Sequence, residues 1–431
     1  MLKKVIGTFG SRIFCTLIAF GIVLINSHEF GAQGVGTIGL FILGLTIIQN
    51  LTSFVGGPSL VYMLPRHNAF QLIFLSYGFN VLISIIGTFL LFIFRLIPYE
   101  YVWHLLLVSI FFSFYYVHSL FILAIEKINI YNVLAVLQII FQLGLMLILL
   151  YFFNIKNVAS YIYAYLLSYV LMAVISIPYV WKNIKITNLK NSFSLLKQML
   201  TYGFAIQIAN FAQLLNYRLS YYIIEFCSGR KALGVFDLGT KLSEAVWILP
   251  KSMATVQYAR ISNSKENKIY AKKLTLAFLK LVFVFSLIAT FLLVLIPASW
   301  IAFIFSAEFF EVKQILYVLA FGIILFSCNT IISHYFSSFG LYKINTYASI
   351  IGLIITAGIG LALIPVFISM PYMDVLMSIA GITTLSYTVS FTYTFFKFIK
   401  DAKVKVRDLK ITSNDLSILT NEIKKILRHK Q

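Results

Sequence analysis

Twelve stretches of about 20 mostly apolar residues follow one another along this chain of 431 residues. A helix of about 20 residues spans the roughly 30 Å hydrocarbon core of a bilayer, because each helical residue adds about 1.5 Å. Hydrophobic residues make up 60% of the chain and charged residues only 11%, which excludes a soluble globular domain. The sequence therefore predicts an all-α polytopic membrane protein with about 12 transmembrane helices.

The predicted spans are numbered here from 1 to 12 in chain order. They lie near residues 4–26, 35–63, 70–97, 102–124, 132–153, 158–181, 199–226, 232–256, 274–297, 313–338, 344–368 and 374–399. Span 1 begins with lysines, like a signal peptide. Because Arg12 interrupts its apolar run and no small-residue cleavage site follows, a retained helix is expected.

Basic residues determine the predicted orientation. Most of the 34 Lys and Arg residues fall in alternate connections and in the carboxy-terminal tail, which the positive-inside rule places in the cytosol with both termini. The formal net charge of +20 then faces anionic lipid headgroups, and no nucleic-acid partner is predicted. Three widely spaced cysteines indicate neither a disulfide framework nor a metal site.

The chain divides into two halves of six spans and a tail, predicted as 1–187, 188–400 and 401–431. Each half begins alike, with an acid-aromatic pair after its first span and a proline in its second: Glu29-Phe30 with Pro58, and Glu225-Phe226 with Pro250. Such a repeat is typical of transporters, although glycine and proline are frequent in membrane helices generally. In the tail, residues 413–430 predict a basic amphipathic helix on the cytosolic leaflet.

The connections argue against an enzyme. No connection on the predicted outer side exceeds roughly 20 residues, so there is no external catalytic domain. The loops contain no phosphate-binding loop, zinc-protease motif or nucleophile elbow, so ATP-driven transport by this chain alone is not expected either. No cofactor is predicted, and only a coupling ion (H⁺, Na⁺ or Cl⁻) is left open.

Spans 7 and 8 concentrate the membrane charges. At about 100° per residue, Lys241, Glu244 and Lys251 lie within about 40° of Asp237 on one face of span 8. In span 7, Gln207, Arg218 and Glu225 stack on one face with Asn210 and Tyr221 alongside, and Arg12 lies inside span 1. Because each charge in hydrocarbon costs a few kcal/mol, these faces are expected to line water or the bundle interior.

Two interpretations of these charges stay open. The central cations Arg12, Arg218 and Lys241 are suited to an anionic cargo, since arginine offers planar bidentate donors for phosphate. Alternatively, nearby carboxylates neutralise them and they only hold helices in register. His118 and His334 are expected to pack by hydrogen bonds rather than to carry protons.

The chain resembles the Wzx-type polysaccharide flippases of the multidrug/oligosaccharidyl-lipid/polysaccharide (MOP) exporter superfamily. The resemblance rests on LNYRLSYYIIEFCSGRKALGVFDLGTKLSEAVWILPKSMATVQYARIS, IFSAEFFEVKQILYVL and GGPSLVYMLPR. In the family pattern Leu-Asn-x-Arg-x-Asp, Leu215, Asn216 and Arg218 match, whereas Ser220 replaces the acid and Glu225 is a candidate substitute.

The resemblance implies a MATE-like fold of two six-helix bundles in a V around a cationic cavity. It implies flipping of undecaprenyl-diphosphate-linked oligosaccharide units across the bacterial inner membrane, for O-antigen, capsule or exopolysaccharide synthesis. Arg12, Arg218 and Lys241 would hold the diphosphate or acidic sugars, and Asp237 and Glu244 would tune them or couple ions. Spans bent at Pro58 and Pro250 would gate. A polysaccharide polymerase and a chain-length regulator are possible partners.

Two other transporters compete with this interpretation. A multidrug antiporter of the same superfamily would export organic cations, but it would prefer an acidic, aromatic cavity. A flippase for the peptidoglycan precursor is a further alternative, although members of that group usually have fourteen helices rather than twelve.

Overall fold

The computed structural model describes residues 2–182, 184, 186, 192–262 and 267–410, without the side chains of residues 2–7, 9, 205, 206, 209 and 259. These residues form helices and contain no β-strand. They divide into two compact units, Met1–Phe211 and Ala212–Gln431. The predicted tail helix at 413–430 lies outside the described residues, and the predicted boundaries after residues 187 and 400 stay predictions.

The amino-terminal unit contains six helices and the start of a seventh. Their bounds are α1 (Leu2–Gly56), α2 (Pro58–Met63), α3 (Ala69–Ile93), α4 (Val102–Ala124), α5 (Ile128–Leu147), α6 (Val158–Trp181) and α7 (Ser192–Ala245). A π-helical turn at Ile148–Phe152 extends α5. The first part of α7 belongs to this unit, since Leu195 and Met199 join its buried apolar cluster.

The carboxy-terminal unit contains the rest of α7 and seven further helices. They are α8 (Ile248–Ser262), α9 (Lys268–Leu295), α10 (Ala298–Phe305), α11 (Val312–Ser338), α12 (Tyr342–Ala362), α13 (Ile364–Phe367) and α14 (Tyr372–Asp401). Its apolar core lies among α8, α9, α11 and α14, where Tyr335, Phe336 and Phe398 are fully buried.

The two longest helices, α1 and α7, each consist of two arms joined at a glycine. Gly31 has φ 61° and ψ −170°, and Gly229 has φ 79° and ψ 179°. Residues with a Cβ atom rarely adopt these angles, so each half of the chain uses glycine to end its first span in the same conformation. With these breaks, every one of the twelve predicted spans corresponds to a helix.

Hydropathy identifies nine candidate spans among the described residues, counting both arms of α1 with α2 as one. The helices α7 and α8 are not among the nine. Their charged residues, which include Arg218, Asp237, Lys241 and Glu244, lower the mean hydropathy of this region. The membrane helices are therefore least apolar in the stretch that concentrates the predicted site residues.

Both prolines of the predicted gate lie in the first turn of a new helix. Pro58 begins α2 directly after the break at Gly57, and Pro250 is the third residue of α8 after the break between α7 and α8. A proline has no N–H to donate to the carbonyl oxygen four residues earlier, and for Pro58 this is the carbonyl of Phe54. The Ser59 hydroxyl lies 3.1 Å from this carbonyl oxygen and 2.8 Å from that of Val55, so the two carbonyls share its hydrogen.

A buried amide joins three helices of the carboxy-terminal unit. The Oδ1 atom of Asn216 in α7 accepts hydrogen bonds from Thr356 of α12 at 3.0 Å and from Ser386 of α14 at 2.8 Å. A Cβ atom at Gly352 would lie 2.4 Å from the Asn216 amide nitrogen, so α12 approaches α7 closely at this point. Asn216, one of the residues that carry the family resemblance, therefore has a packing role here.

Candidate functional site

The two arms of α7 fold back on each other about Gly229, and oppositely charged residues meet across them. Arg218 Nη2 lies 2.9 Å from Glu244 Oε1. Nearer the turn, Arg230 Nε lies 3.3 Å from Glu225 Oε1. The residue numbers of each pair are nearly symmetric about the turn, as expected for an antiparallel pair of helices.

Tyr221 lies at the centre of the cluster that these arms form. Its hydroxyl donates to Asp237 Oδ1 at 2.8 Å, lies 2.8 Å from Thr240 Oγ1, and accepts from Arg218 Nη1 at 2.5 Å. The other Asp237 oxygen lies 2.6 Å from Lys241 Nζ. Tyr221 and Asp237 are each 2% exposed, so a single buried hydroxyl connects both ion pairs.

The cluster is balanced in charge. Arg218 and Lys241 contribute two cations, and Glu244 and Asp237 two carboxylates. The pairing of Asp237 with Lys241 follows from their spacing of four residues. The interpretation that carboxylates neutralise these two cations therefore describes the observed arrangement, although the side chains of Arg218 and Lys241 stay 23% and 36% exposed.

Two predictions about the charged residues of spans 7 and 8 differ from the observed arrangement. Glu225, considered as a substitute for the acid that Ser220 replaces, pairs with Arg230, and Glu244 takes the place beside Arg218. Lys251 does not lie on one continuous helix with Asp237, because the helix is interrupted after α7 and Lys251 lies in α8. Pro250 accounts for this interruption, since its ring cannot accommodate a continuous helix four residues earlier, at Val246.

Two of the predicted site cations, Arg12 and Lys251, have no carboxylate partner in the described part of the chain. Arg12, in the first arm of α1, is exposed. Lys251, also exposed, has its Nζ atom 5.4 Å from the centre of the Trp247 ring. By contrast, the three carboxylates of α7, Glu225, Asp237 and Glu244, are all paired.

The remaining predicted site residues lie in the amino-terminal unit. Gln207 is buried, and its side-chain oxygen accepts a hydrogen bond of 2.7 Å from the exposed Asn210. Pro58 is half-buried at the start of α2. The role of Arg12, Gln207 and Pro58 stays a prediction.

The two membrane histidines are hydrogen-bonded, as expected for packing residues. His118 of α4 contacts the Tyr77 hydroxyl of α3 and, through Nδ1, the Ser176 hydroxyl of α6 at 2.6 Å. Because Ser176 donates to the Met172 carbonyl at 2.7 Å, its oxygen is left to accept from His118. His334 Nδ1 lies 2.9 Å from the Thr330 carbonyl oxygen.

The residues that the sequence analysis did not assign are Tyr221 as the connecting hydroxyl and Thr240 beside it. The sequence places Tyr221 only alongside the charged face of span 7. Tyr221 is three residues from Arg218 in one helix, so their contact is predictable from the sequence. Its contact with Asp237 depends on how the two arms of α7 fold together. Sequence spacing within one helix does not supply that relation.

Solved structures of similar fold cover nearly the whole chain. A MOP superfamily transporter from Pyrococcus furiosus, whose binding pocket is described as having reverse polarity that suggests a different function, is 16% identical, with a TM-score of 0.66 over 94% of this chain and 97% of its own. A multidrug resistance MATE family transporter is 15% identical in its inward-facing conformation, with a TM-score of 0.70 over 90% of this chain and 95% of its own. No protein-family profile and no curated protein matches the sequence.

An outward-facing MATE family transporter is also similar, at 14% identity and a TM-score of 0.65 over 94% of this chain and 97% of its own. The chain has the MOP-superfamily transporter fold. This confirms the prediction of an all-α, MATE-like polytopic membrane protein with about twelve helices. All three neighbours are described as transporters.

Proposed function

We propose that this protein is a flippase for undecaprenyl-diphosphate-linked oligosaccharide units, acting in the bacterial inner membrane during synthesis of a surface polysaccharide. The supporting observation is the difference in pairing between two predicted site cations and the carboxylates of α7. In the described residues Arg12 and Lys251 lack a carboxylate partner, whereas each carboxylate of α7 has a cation. An unpaired cation in a membrane helix favours an anionic group of the cargo.

The two ion pairs of α7 can serve the same cargo. A diphosphate can take the place of Glu244 on Arg218, because guanidinium binds phosphate and carboxylate oxygens with the same bidentate geometry. Lys241 is exposed enough to do likewise at its own pair with Asp237. The displaced carboxylates would then be available to a coupling ion, which makes Asp237 and Glu244 the proposed coupling residues.

The alternative function is export of organic cations, as in the multidrug MATE transporters of similar fold. Such a cargo needs an unpaired carboxylate. Each of the three carboxylates of α7, Glu225, Asp237 and Glu244, is instead in an ion pair. The Pyrococcus furiosus transporter, with its pocket of reverse polarity, is described as differing in function within the same superfamily. A cargo of opposite charge is therefore compatible with this fold.

The test is glycolipid transfer in liposomes. The purified protein is reconstituted with an undecaprenyl-diphosphate oligosaccharide, and a membrane-impermeant glycosidase reports how much cargo reaches the outer leaflet. We expect Arg12→Gln and Lys251→Gln each to lower the transfer rate about tenfold or more, since each removes one unpaired cation worth a charge-assisted hydrogen bond of about 1.5–3 kcal/mol.

The controls separate charge from folding. Arg12→Lys keeps the charge and should retain most transfer, and Lys343→Gln removes the same charge from an exposed site at the start of α12. Equal transfer by Arg12→Gln and wild type would refute the role of that cation. Absence of transfer with any lipid-linked glycan, together with gradient-driven efflux of organic cations, would establish the antiporter instead.

Gating is proposed at the helix breaks before Pro58 and Pro250. Both breaks divide a membrane helix into separately oriented segments, which is the geometry that a hinge requires. We expect the combined substitution Pro58→Ala and Pro250→Ala to slow transfer at least about fivefold, because alanine lets each helix continue through the break. Full transfer by this variant in the same liposome assay would show that the breaks do not gate.

A further inference from the structure

One end of the carboxy-terminal unit carries a surface that the transport proposal does not use. It consists of the first turns of α9 and of the segment 402–410 that follows α14. This surface, called here the basic end surface, exposes Lys268, Ile269, Lys273, Lys400, Lys403, Lys405, Val406, Arg407, Leu409 and Lys410. The charge distribution predicts that this end faces the cytosol.

The segment 402–410 is held against α9 rather than extending away from it. Lys272 Nζ lies 2.7 Å from Asp408 Oδ2 and donates to the Lys403 carbonyl oxygen at 2.8 Å. Asp408 also accepts from the Lys405 amide at 3.0 Å, and the turn Val406–Leu409 closes the segment. Lys272 and this amide hold the pKa of the Asp408 carboxyl below its ordinary value, so Asp408 stays ionised at neutral pH.

A second acid fixes the end of α14 in the same way. Asp401 accepts from Lys268 at 3.1 Å and from the Tyr335 hydroxyl at 2.7 Å. Among the described residues of this region, Asp401 and Asp408 therefore take part in internal bonds, while the surrounding lysines and Arg407 are exposed. The result is a positively charged surface whose shape is set by its own buried or half-buried contacts.

Apolar side chains interrupt the positive charge. Val406 is 84% exposed and Ile269 is 71% exposed, and both have cations as sequence neighbours. A surface that mixes exposed aliphatic side chains with lysine and arginine, next to the end of a membrane helix, has the composition of a lipid-headgroup contact. A soluble anionic partner would not require the aliphatic side chains.

We propose that the basic end surface binds anionic phospholipid headgroups of the adjacent leaflet, with Val406 and Ile269 inserted at the headgroup boundary. The lysines and Arg407 contact the phosphates, and the Lys272–Asp408 and Lys268–Asp401 pairs keep the surface in its binding shape. The occupant is the bilayer itself and not a protein partner.

The first experiment measures lipid binding by the full chain. The purified protein is titrated in detergent with phosphatidylglycerol or phosphatidylcholine, and bound lipid is counted by native mass spectrometry. Each cation near an anionic surface contributes about fivefold in affinity, so Lys405→Gln, Arg407→Gln and Lys410→Gln together should weaken phosphatidylglycerol binding about a hundredfold. Phosphatidylcholine binding should not change.

A matched variant tests whether only net charge matters. Lys156→Gln, Lys231→Gln and Lys313→Gln together remove the same charge from connections predicted to face the other side. This variant should bind phosphatidylglycerol as wild type does. Equal losses in the two triple variants, or no loss in the first, would overturn the proposal.

A second measurement tests insertion. A spin label on Val406→Cys, in a background with Cys15, Cys227 and Cys328 replaced, is followed in nanodiscs by its accessibility to oxygen and to a water-soluble nickel complex. In phosphatidylglycerol-containing discs the label should be reached by oxygen and protected from nickel, and in pure phosphatidylcholine discs it should not. A label that stays accessible to nickel in both lipids would show that the surface does not enter the bilayer, whatever else binds there.

Discussion

Replacing Arg218 by methionine is expected to destabilise the protein by about 3 kcal/mol. The substitution removes the 2.9 Å pair with Glu244 and the hydrogen bond to Tyr221, leaving a carboxylate without its cation in a membrane helix. Breaking a buried ion pair by removing one partner costs about 3–5 kcal/mol, and the partial exposure of these side chains places the effect near the lower limit. The free energy of unfolding in mixed micelles, from titration with SDS, measures this loss.

The double substitution Arg218→Met and Glu244→Met should recover most of the stability, because it removes both charges together. Arg230→Met serves as the matched control. It breaks the other cross-arm pair, with Glu225, close to the Gly229 turn where the two arms are already held together by the chain. We expect this control to cost less than Arg218→Met does, because the adjacent turn already keeps the two arms together at that point.

Transport by the double variant separates the two interpretations of Arg218. If Arg218 contacts the diphosphate of the cargo, Arg218→Met with Glu244→Met folds but does not flip the glycolipid. If the pair only holds the arms of α7 together, the double variant recovers both stability and transfer. The second outcome would remove Arg218 from the proposed cargo site and leave Arg12, Lys241 and Lys251 as its cations.

The spans and the site residues were not equally predictable from the sequence. Apolar runs of membrane length located all twelve helices, since hydrophobic length is a property of each segment alone. The contact between Asp237 and Lys241 was also predictable, because four residues in one helix fix their separation. The pair of Arg218 and Glu244 was not, since it depends on the register between two arms that meet only after the chain turns at Gly229.

Lys251 shows a second limit of helical spacing. A projection of residues 232–256 as one helix placed it beside Asp237, but this projection assumed continuity through Pro250. Because Pro250 interrupts the helix, angular positions counted from Asp237 do not apply to the residues of α8. Asn216 is a different case. The sequence identifies it as a residue of the family pattern, but its hydrogen bonds to α12 and α14 can be seen only in the folded structure.

Replacing Gly203 by alanine is expected to destabilise the amino-terminal unit by about 3 kcal/mol. A Cβ atom at this position in α7 would lie 1.8 Å from the Phe54 carbonyl oxygen and 2.7 Å from its carbon, both backbone atoms of α1. Backbone cannot rotate out of the way as a side chain can, so the two helices must separate. Overpacking of this kind costs about 1–3 kcal/mol, with the largest values where no flexible group can yield. Thermal unfolding in detergent measures the loss.

Pro58 has no N–H to donate to the Phe54 carbonyl. The stacked rings of Phe54 and Phe204, with centroids 5.7 Å apart, join the same two helices nearby. Gly78→Ala in α3 and Gly144→Ala in α5 are the matched controls, since neither Cβ meets an atom within 4 Å. Alanine is the better helix former, so both controls should be neutral or slightly stabilising. If Gly203→Ala unfolds at the same temperature as these controls, α1 and α7 do not meet at this glycine. The proposed gate at Pro58 would then lack this contact between α1 and α7 beside it.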